Sequence, residues 1–179
     1  MEDADLIQQV LSGEHEKYSI LVERYQEPLI HFLRSIMGTD EEVFDCAQEA
    51  FLAAYRNLWR YSQAYSFRSW LYTIARNKAI DLIRKRKRES SVPIKENLVD
   101  SNPGPEETFL AKEEAQDVQE ILKELPDHYK QALFLRYQQE LSYEEISTVL
   151  DIPLSSVKNY LHRGKGRLRK IMERRKNHE

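Results

Sequence analysis

Cysteine is almost missing from this chain. Cys46 stands alone among 179 residues, which excludes an internal disulfide and a cysteine zinc site. A reducing setting fits, and Cys46 reads as a buried thiol on a helix. No apolar run approaches the roughly 18 residues that a membrane-spanning helix needs, and the mean hydropathy is -0.68. The opening residues, Met1-Glu2-Asp3-Ala4-Asp5, are acidic and hold no apolar stretch, so a secretory leader is not expected and the chain reads as cytoplasmic. Glycine is scarce, five in all, and no segment alternates apolar and polar residues as a strand does. A glycine-rich phosphate loop is missing too, so ATP use is not indicated. His15, His31, His128, His162 and His178 are scattered without a metal-ligand spacing. The acidic pairs Glu41-Glu42 and Glu144-Glu145 fall at helix starts, where the helix dipole accounts for them. An enzyme such as a metal-dependent nuclease is therefore disfavoured, and no cofactor or metal is expected.

What is there is charge, and it is segregated. The net charge of -3 conceals the unbroken run Arg84-Lys85-Arg86-Lys87-Arg88 and a second basic stretch from Lys158 to Lys176, in which only Glu173 is acidic. The acids gather elsewhere, at Glu41, Glu42, Asp45 and Glu49 and between Glu106 and Glu124. Two basic surfaces set apart by acidic ones imply two anion contacts on a body whose acids serve other partners.

Apolar residues recur at helical spacing almost throughout, which predicts an all-α protein. Residues 4–11 and 15–37 read as two helices broken near Ser12-Gly13. Gly38 stops the second, and Thr39-Asp40-Glu41-Glu42 offers a capping box for a third that turns Val43, Ala47, Ala50, Phe51, Ala54 and Leu58 inward. A fourth runs from about Phe67 to Arg88 with Leu71, Ala75, Ala79 and Leu82 inward. Prolines, a glycine and few large apolar groups mark 93–108 as a flexible linker. Beyond it come an acidic amphipathic helix over 110–125, a break at Leu125-Pro126-Asp127, a helix over 127–139 and two more helices. The expected architecture is two small helical domains, 1–92 and 109–179, joined by that linker.

The C-terminal domain reads as a helix-turn-helix. Ser142-Tyr143-Glu144-Glu145 is a capping box, and its helix offers Ile146, Val149 and Leu150 to a core. Asp151-Ile152-Pro153 makes the turn, since Asp tolerates the left-handed conformation and Pro153 sets up the next helix. Ser147 is small where the two helices cross. With Val157, Leu161 and Leu168 inward, Ser155, Ser156, Lys158, Asn159, His162 and Arg163 point outward together. Such a face suits the major groove, with hydroxyls and helix amides on phosphate and longer side chains at base edges. The extension from Lys165 to Arg175 adds salt-sensitive attraction. Gly164 and Gly166 weaken this long helix and could bend or fray it.

The sequence Leu125-Pro126-Asp127, Leu133-Phe134-Leu135-Arg136-Tyr137, Leu141-Ser142-Tyr143-Glu144-Glu145-Ile146, Ile152-Pro153, Val157-Lys158 and Leu161-His162-Arg163-Gly164 resembles region four of extracytoplasmic-function sigma factors of RNA polymerase. That resemblance implies that Ser155, Ser156, Lys158, Asn159, His162, Arg163 and Lys165 read the promoter element near minus thirty-five.

Asp45-Cys46-Ala47-Gln48-Glu49-Ala50-Phe51-Leu52-Ala53-Ala54-Tyr55 resembles the same family's region two-point-two, which docks on core RNA polymerase. The resemblance assigns that contact to Asp45, Gln48, Glu49 and Leu52. Aromatic residues then interleave with Arg56, Arg60, Arg68 and Arg76, a composition that stacks on unpaired bases and holds the backbone. Phe67-Arg68-Ser69-Trp70-Leu71-Tyr72-Thr73-Ile74-Ala75-Arg76-Asn77 resembles the family's Phe-x-x-Trp-Leu-x-x-Ile-Ala-x-Asn signature, which implies opening and reading of the element near minus ten. Phe67 and Trp70 are expected mostly in the core. Tyr61 and Tyr65, in a loop, and Arg76, Asn77, Arg84 and Arg88 are the expected DNA contacts. Core RNA polymerase and promoter DNA are the implied partners, and the resemblance adds an anti-sigma factor. Two alternatives remain on sequence alone: a helix-turn-helix regulator with no sigma-like docking, and, less favoured, the nuclease.

Overall fold

In the computed structural model, residues 1–38, 41–90 and 120–178 are described. Among them every regular element is helical. Seven α-helices lie wholly within the described residues, in order: α1 Asp3–Leu11, α2 Tyr18–Met37, α3 Glu42–Arg56, α4 Phe67–Glu89, α5 Asp127–Leu133, α6 Tyr143–Leu150 and α7 Leu154–Lys176. The expected linker and most of the acidic helix over 110–125 lie outside the described residues, as do Thr39 and Asp40 of the expected capping box.

Helices α2, α3 and α4 pack on one another, and α1 lies along α2. Their contact surfaces are the apolar stripes of the sequence. Val43, Ala47, Ala50, Phe51, Ala54 and Leu58 are buried, and so is Cys46. On α4, Leu71, Ala75 and Ala79 are buried, while Leu82 is half-buried. Polar ties bind the elements: the Tyr18 hydroxyl donates to the Phe51 carbonyl at 2.6 Å, and Asp3 on α1 accepts from both Arg24 and Tyr25 of α2. Pro28 sits inside α2, which forgoes one backbone hydrogen bond there. Gly38 ends that helix at φ 89°, a conformation that glycine adopts without steric cost.

The second domain sets α5 and α6 against α7. The expected single helix over 127–139 differs from what forms. α5 stops at Leu133, and Phe134–Gln138 makes a wider π turn in which the Gln139 amide donates to the Phe134 carbonyl. The reason lies in burial: Ala132, Leu133, Phe134 and Leu135 are four consecutive buried residues. A helix with one apolar stripe cannot bury four in a row against one neighbour, so this segment is enclosed from more than one side. α7 is continuous from Leu154 to Lys176, so the two glycines do not fray it into separate pieces. Gly164 is buried and allows close approach: a Cβ there would meet the Tyr129 Cβ and Leu133 Cδ1 at 3.2 Å.

Candidate protein and nucleic-acid interfaces

Three exposed faces hold most of the site residues expected from the sequence. The first is on α3. Because Val43, Ala47, Ala50, Phe51 and Ala54 face the core, Asp45, Gln48, Glu49 and Leu52 are all left exposed, Leu52 at 48%. Glu49 lies 3.9 Å from the Lys78 ammonium. The face is wider than the sequence indicated. Phe44, 48% exposed, lies under the Arg34 guanidinium. Tyr55 is exposed and its hydroxyl meets His15 Nδ1 at 3.0 Å. Phe44, Gln48, Leu52 and Tyr55 form one stripe, at a spacing near one or two helical turns, that was available from the sequence. Carboxylates, an amide and exposed apolar groups side by side have the mixed character of a protein-binding surface.

The second face joins the loop before α4 to α4 itself. Ser66 caps that helix by accepting from the Ser69 amide at 3.2 Å. Phe67 is buried and Trp70 half-buried against the core. Tyr61 leans on both, with ring centroids 5.9 and 5.5 Å away, and its hydroxyl donates to the Tyr65 carbonyl at 2.7 Å. Tyr61 is thus a wall of the loop, whereas Tyr65 is 52% exposed. Trp59, absent from the expected set, is more open still at 69%, with the Arg60 guanidinium 5.0 Å from its ring. Its signal was present in the aromatic run; the 3-10 turn Leu58–Arg60 that turns it outward was not legible. Along α4, Asn77, Asp81, Arg84 and Arg88 are exposed on one stripe, as expected. Arg76 is half-buried. Burial lowers the affinity of its guanidinium for its proton, Asp151 opposes that, and Arg84 adds to it. Open rings beside arginines can stack unpaired bases and hold their phosphates.

The third face is the helix-turn-helix. The capping box at Ser142 is complete, with Ser142 Oγ accepting from the Glu145 amide and Glu145 Oε2 from the Ser142 amide. Asp151 takes the left-handed conformation at φ 53°. Ser147 does more than permit a close crossing, since its hydroxyl donates to the Ile152 carbonyl at 2.6 Å and closes the turn. Ile146, Val149, Leu150, Val157 and Leu161 are buried, and Leu168 is half-buried. Ser155, Lys158, Asn159, His162, Arg163 and Lys165 are exposed together, and Ser156 is partly covered. Lys165 Nζ lies 4.7 Å from the Tyr137 ring centre. Farther along, a basic groove is lined by Tyr129, His162, Arg163, Gly166, Arg167 and Lys170. The whole edge is a cationic rail suited to a duplex backbone. Among the described residues, no cluster of His, Cys, Asp and Glu is placed to hold a metal ion, and no helix is long and apolar enough to cross a membrane.

Comparison with known proteins matches this order of faces. A family model described as Sigma-70 region 2 matches residues 21–89, and one described as Sigma-70, region 4 matches residues 115–168. The chain is 33% identical over 174 residues to the ECF RNA polymerase sigma factor SigW of Bacillus subtilis (strain 168), covering 92% of this chain and 93% of that protein. It is 32% identical over 178 residues to the ECF RNA polymerase sigma-E factor of Escherichia coli (strain K12), covering 91% and 90%. Among solved structures, CnrH in complex with the cytosolic domain of CnrY shares the fold at a TM-score of 0.62 and 24% identity, covering 96% of this chain and 97% of that one. The sigma factor RpoE in complex with the anti-sigma factor NepR, from Bartonella quintana, shares it at 0.68 and 20%, covering 88% and 98%.

Proposed function

Because this chain belongs to the extracytoplasmic-function sigma factors of RNA polymerase, we propose that its three exposed faces divide the work of transcription initiation among them. The domain of residues 1–92 binds core polymerase through Asp45, Gln48, Glu49 and Leu52, flanked by Phe44 and Tyr55. Its loop and α4 capture the element near minus ten through Tyr65 and Trp59, braced by Tyr61, with Arg76, Asn77, Arg84 and Arg88 on the backbone and base edges. Stacking is worth about 1–3 kcal/mol per base, which offsets the few kcal/mol that unstacking costs. Strand opening then needs no nucleotide hydrolysis by this chain, which acts without catalysis of its own. The domain of residues 109–179 reads the element near minus thirty-five through Ser155, Ser156, Lys158, Asn159, His162, Arg163 and Lys165. Residues 93–108 tether the two, so that each contact raises the effective concentration of the other. The work is done in the cytoplasm, and an anti-sigma factor covers the binding faces when the chain is held inactive; one structural neighbour is itself a sigma factor in complex with an anti-sigma factor.

The observation that carries this reading over a plain DNA-binding regulator is the α3 face. A regulator acting through DNA alone has no use for two carboxylates, an amide and an uncovered leucine on the domain that lacks the helix-turn-helix. The test is reconstitution with purified core polymerase and a genomic DNA library, read as transcript start sites. New starts sharing two elements at constant spacing are expected. The double variant Asp45→Ala, Glu49→Ala should lose them and bind core polymerase about tenfold more weakly or worse, a change of about 1.4 kcal/mol. DNA binding without any affinity for a matched core polymerase would sink the reading.

A further inference from the structure

The α3 face does not end on α3. Its stripe runs past Leu52 to Tyr55, and there it meets a segment that precedes the family match at residues 21–89. A local device brings that segment into place. Ser12 closes α1 with its hydroxyl donating to the Gln9 carbonyl at 2.8 Å. Gly13 turns the chain at φ 113°, and the Glu14 amide donates back to the Gln9 carbonyl at 3.0 Å. This reversal delivers the 3-10 turn His15–Lys17, which runs straight into α2 at Tyr18.

Two contacts then hold Tyr55. Its ring tilts on Tyr18, with centroids 5.0 Å apart at 57°. Tyr18 is a fixed support, since it is buried and its own hydroxyl is bound to the Phe51 carbonyl. At the tip, the Tyr55 hydroxyl lies 3.0 Å from His15 Nδ1, a residue 40 positions earlier in the chain. The imidazole stands edge-on to the tyrosine ring at 6.2 Å and 74°. Either tautomer makes the bond: a bare Nδ1 accepts from the hydroxyl, and an Nδ1–H donates to its oxygen.

Both side chains are exposed, so the bond fastens no core residue. What it fixes is the direction of an exposed aromatic ring. At 100° per residue, Tyr55 lies about 20° around the helix from Phe44 and about 60° from Leu52, at the far end of about 16 Å of α3. All three therefore face the same partner. Tyrosine is an effective contact residue because it offers a large amphipathic ring with few rotamers to immobilise. A ring free at its tip still samples several orientations, and a partner that needs one of them binds less tightly for it.

We infer that His15 is a positioning residue for polymerase docking, holding the Tyr55 ring against Tyr18 in the orientation that α3 presents to its partner. The inference rests on the reading of α3 as the docking face and extends that face to a residue outside α3.

The experiment measures the affinity of the full chain for purified, matched core polymerase, with thermal melts alongside. The variants are His15→Ala, Tyr55→Phe and the two combined. Tyr55→Phe keeps the ring and removes the hydroxyl. Each single variant is expected to bind about two- to tenfold more weakly, with Tm little changed. The double variant should bind no more weakly than the weaker single, because both changes delete the same bond. His15→Asn, whose side-chain amide stands near the Nδ1 position, should recover most of the affinity. His15→Ala binding as the native chain does overturns the inference. Losses that multiply in the double variant overturn it as well, since His15 would then act independently of Tyr55. So does a lowered Tm with affinity unchanged, which would mark a bond that merely fastens the turn. Asp45→Ala with Glu49→Ala separates this inference from the reading beneath it. If that variant loses affinity and His15→Ala does not, the docking face stands and the positioning role falls. If it binds as the native chain does, the docking reading falls and this inference with it.

Discussion

Cys46 has no exposed surface, and its sulfur lies 3.9 Å from the Ala75 carbonyl. Burial pushes the thiol up to about 11, against the pull of Lys78 and with the push of Glu49. At pH 8 about one thiol in a thousand is then ionised, and the thiolate is the reactive form. A disulfide reagent such as DTNB is therefore expected to titrate no thiol in the native chain and one per chain in denaturant. Fast native labelling would place Cys46 outside the core. Glu145 titrates in the opposite direction. Burial works to raise its carboxyl, but hydrogen bonds from the amides of Ser66 and Ser142 outweigh that and hold it below the ordinary carboxylate value. Its pKa in the folded chain is thus below that of the unfolded chain. Its stabilisation is fully present above the unfolded value, about 4.3, and is lost as pH falls through the depressed one. The Tm gap between the native chain and Glu145→Gln should be open at pH 7 and should shrink below about pH 4. A gap that widens on acidification would contradict the amide contacts.

At the level of helices, the two glycines of α7 separate cleanly. A methyl group on Gly164 would strike the Tyr129 Cβ and the Leu133 side chain, and a Cβ anchored on a neighbouring helix cannot swing away. Gly164→Ala is expected to lower stability by about 1–2 kcal/mol, whereas Gly166, with nothing within 4 Å of its Cβ position, should gain about 0.5–1 kcal/mol on conversion to Ala. Ser142→Ala removes a cap and should cost about 1 kcal/mol. Thermal melts of the three variants check the order. These signals are local, and local chemistry is what the sequence displays well. Gly38 as a stop, Ser142 and Glu145 as a box and Asp151 as a left-handed hinge were each legible from residue type and spacing alone. So were the exposed stripes of α3, α4 and α7. The π turn at Phe134 was not, because its cause is enclosure by two bodies. Nor was the outward throw of Trp59 or the bracing role of Tyr61, both of which depend on contacts between residues of different elements.

Across the whole molecule, the segregated charge decides how the chain meets DNA. Lys158, Arg163, Lys165, Arg167 and Lys170 are exposed along one helix, so duplex affinity should fall steeply with salt as counterions are released. Replacing Lys170, far from the recognition turn, with Gln should weaken binding to all sequences alike and reduce the slope of log affinity against log salt by about 1. Anisotropy titrations at several potassium chloride concentrations measure it, and a sequence-dependent loss would instead make Lys170 a base reader. The Glu145 carboxylate, which accepts from the amides of Ser66 and Ser142, has its own consequence for heredity. A mutation at that one codon is inherited as a change at the start of a helix in each domain. Second-site revertants of such a mutation are expected around Ser66, remote in the gene but adjacent in the fold.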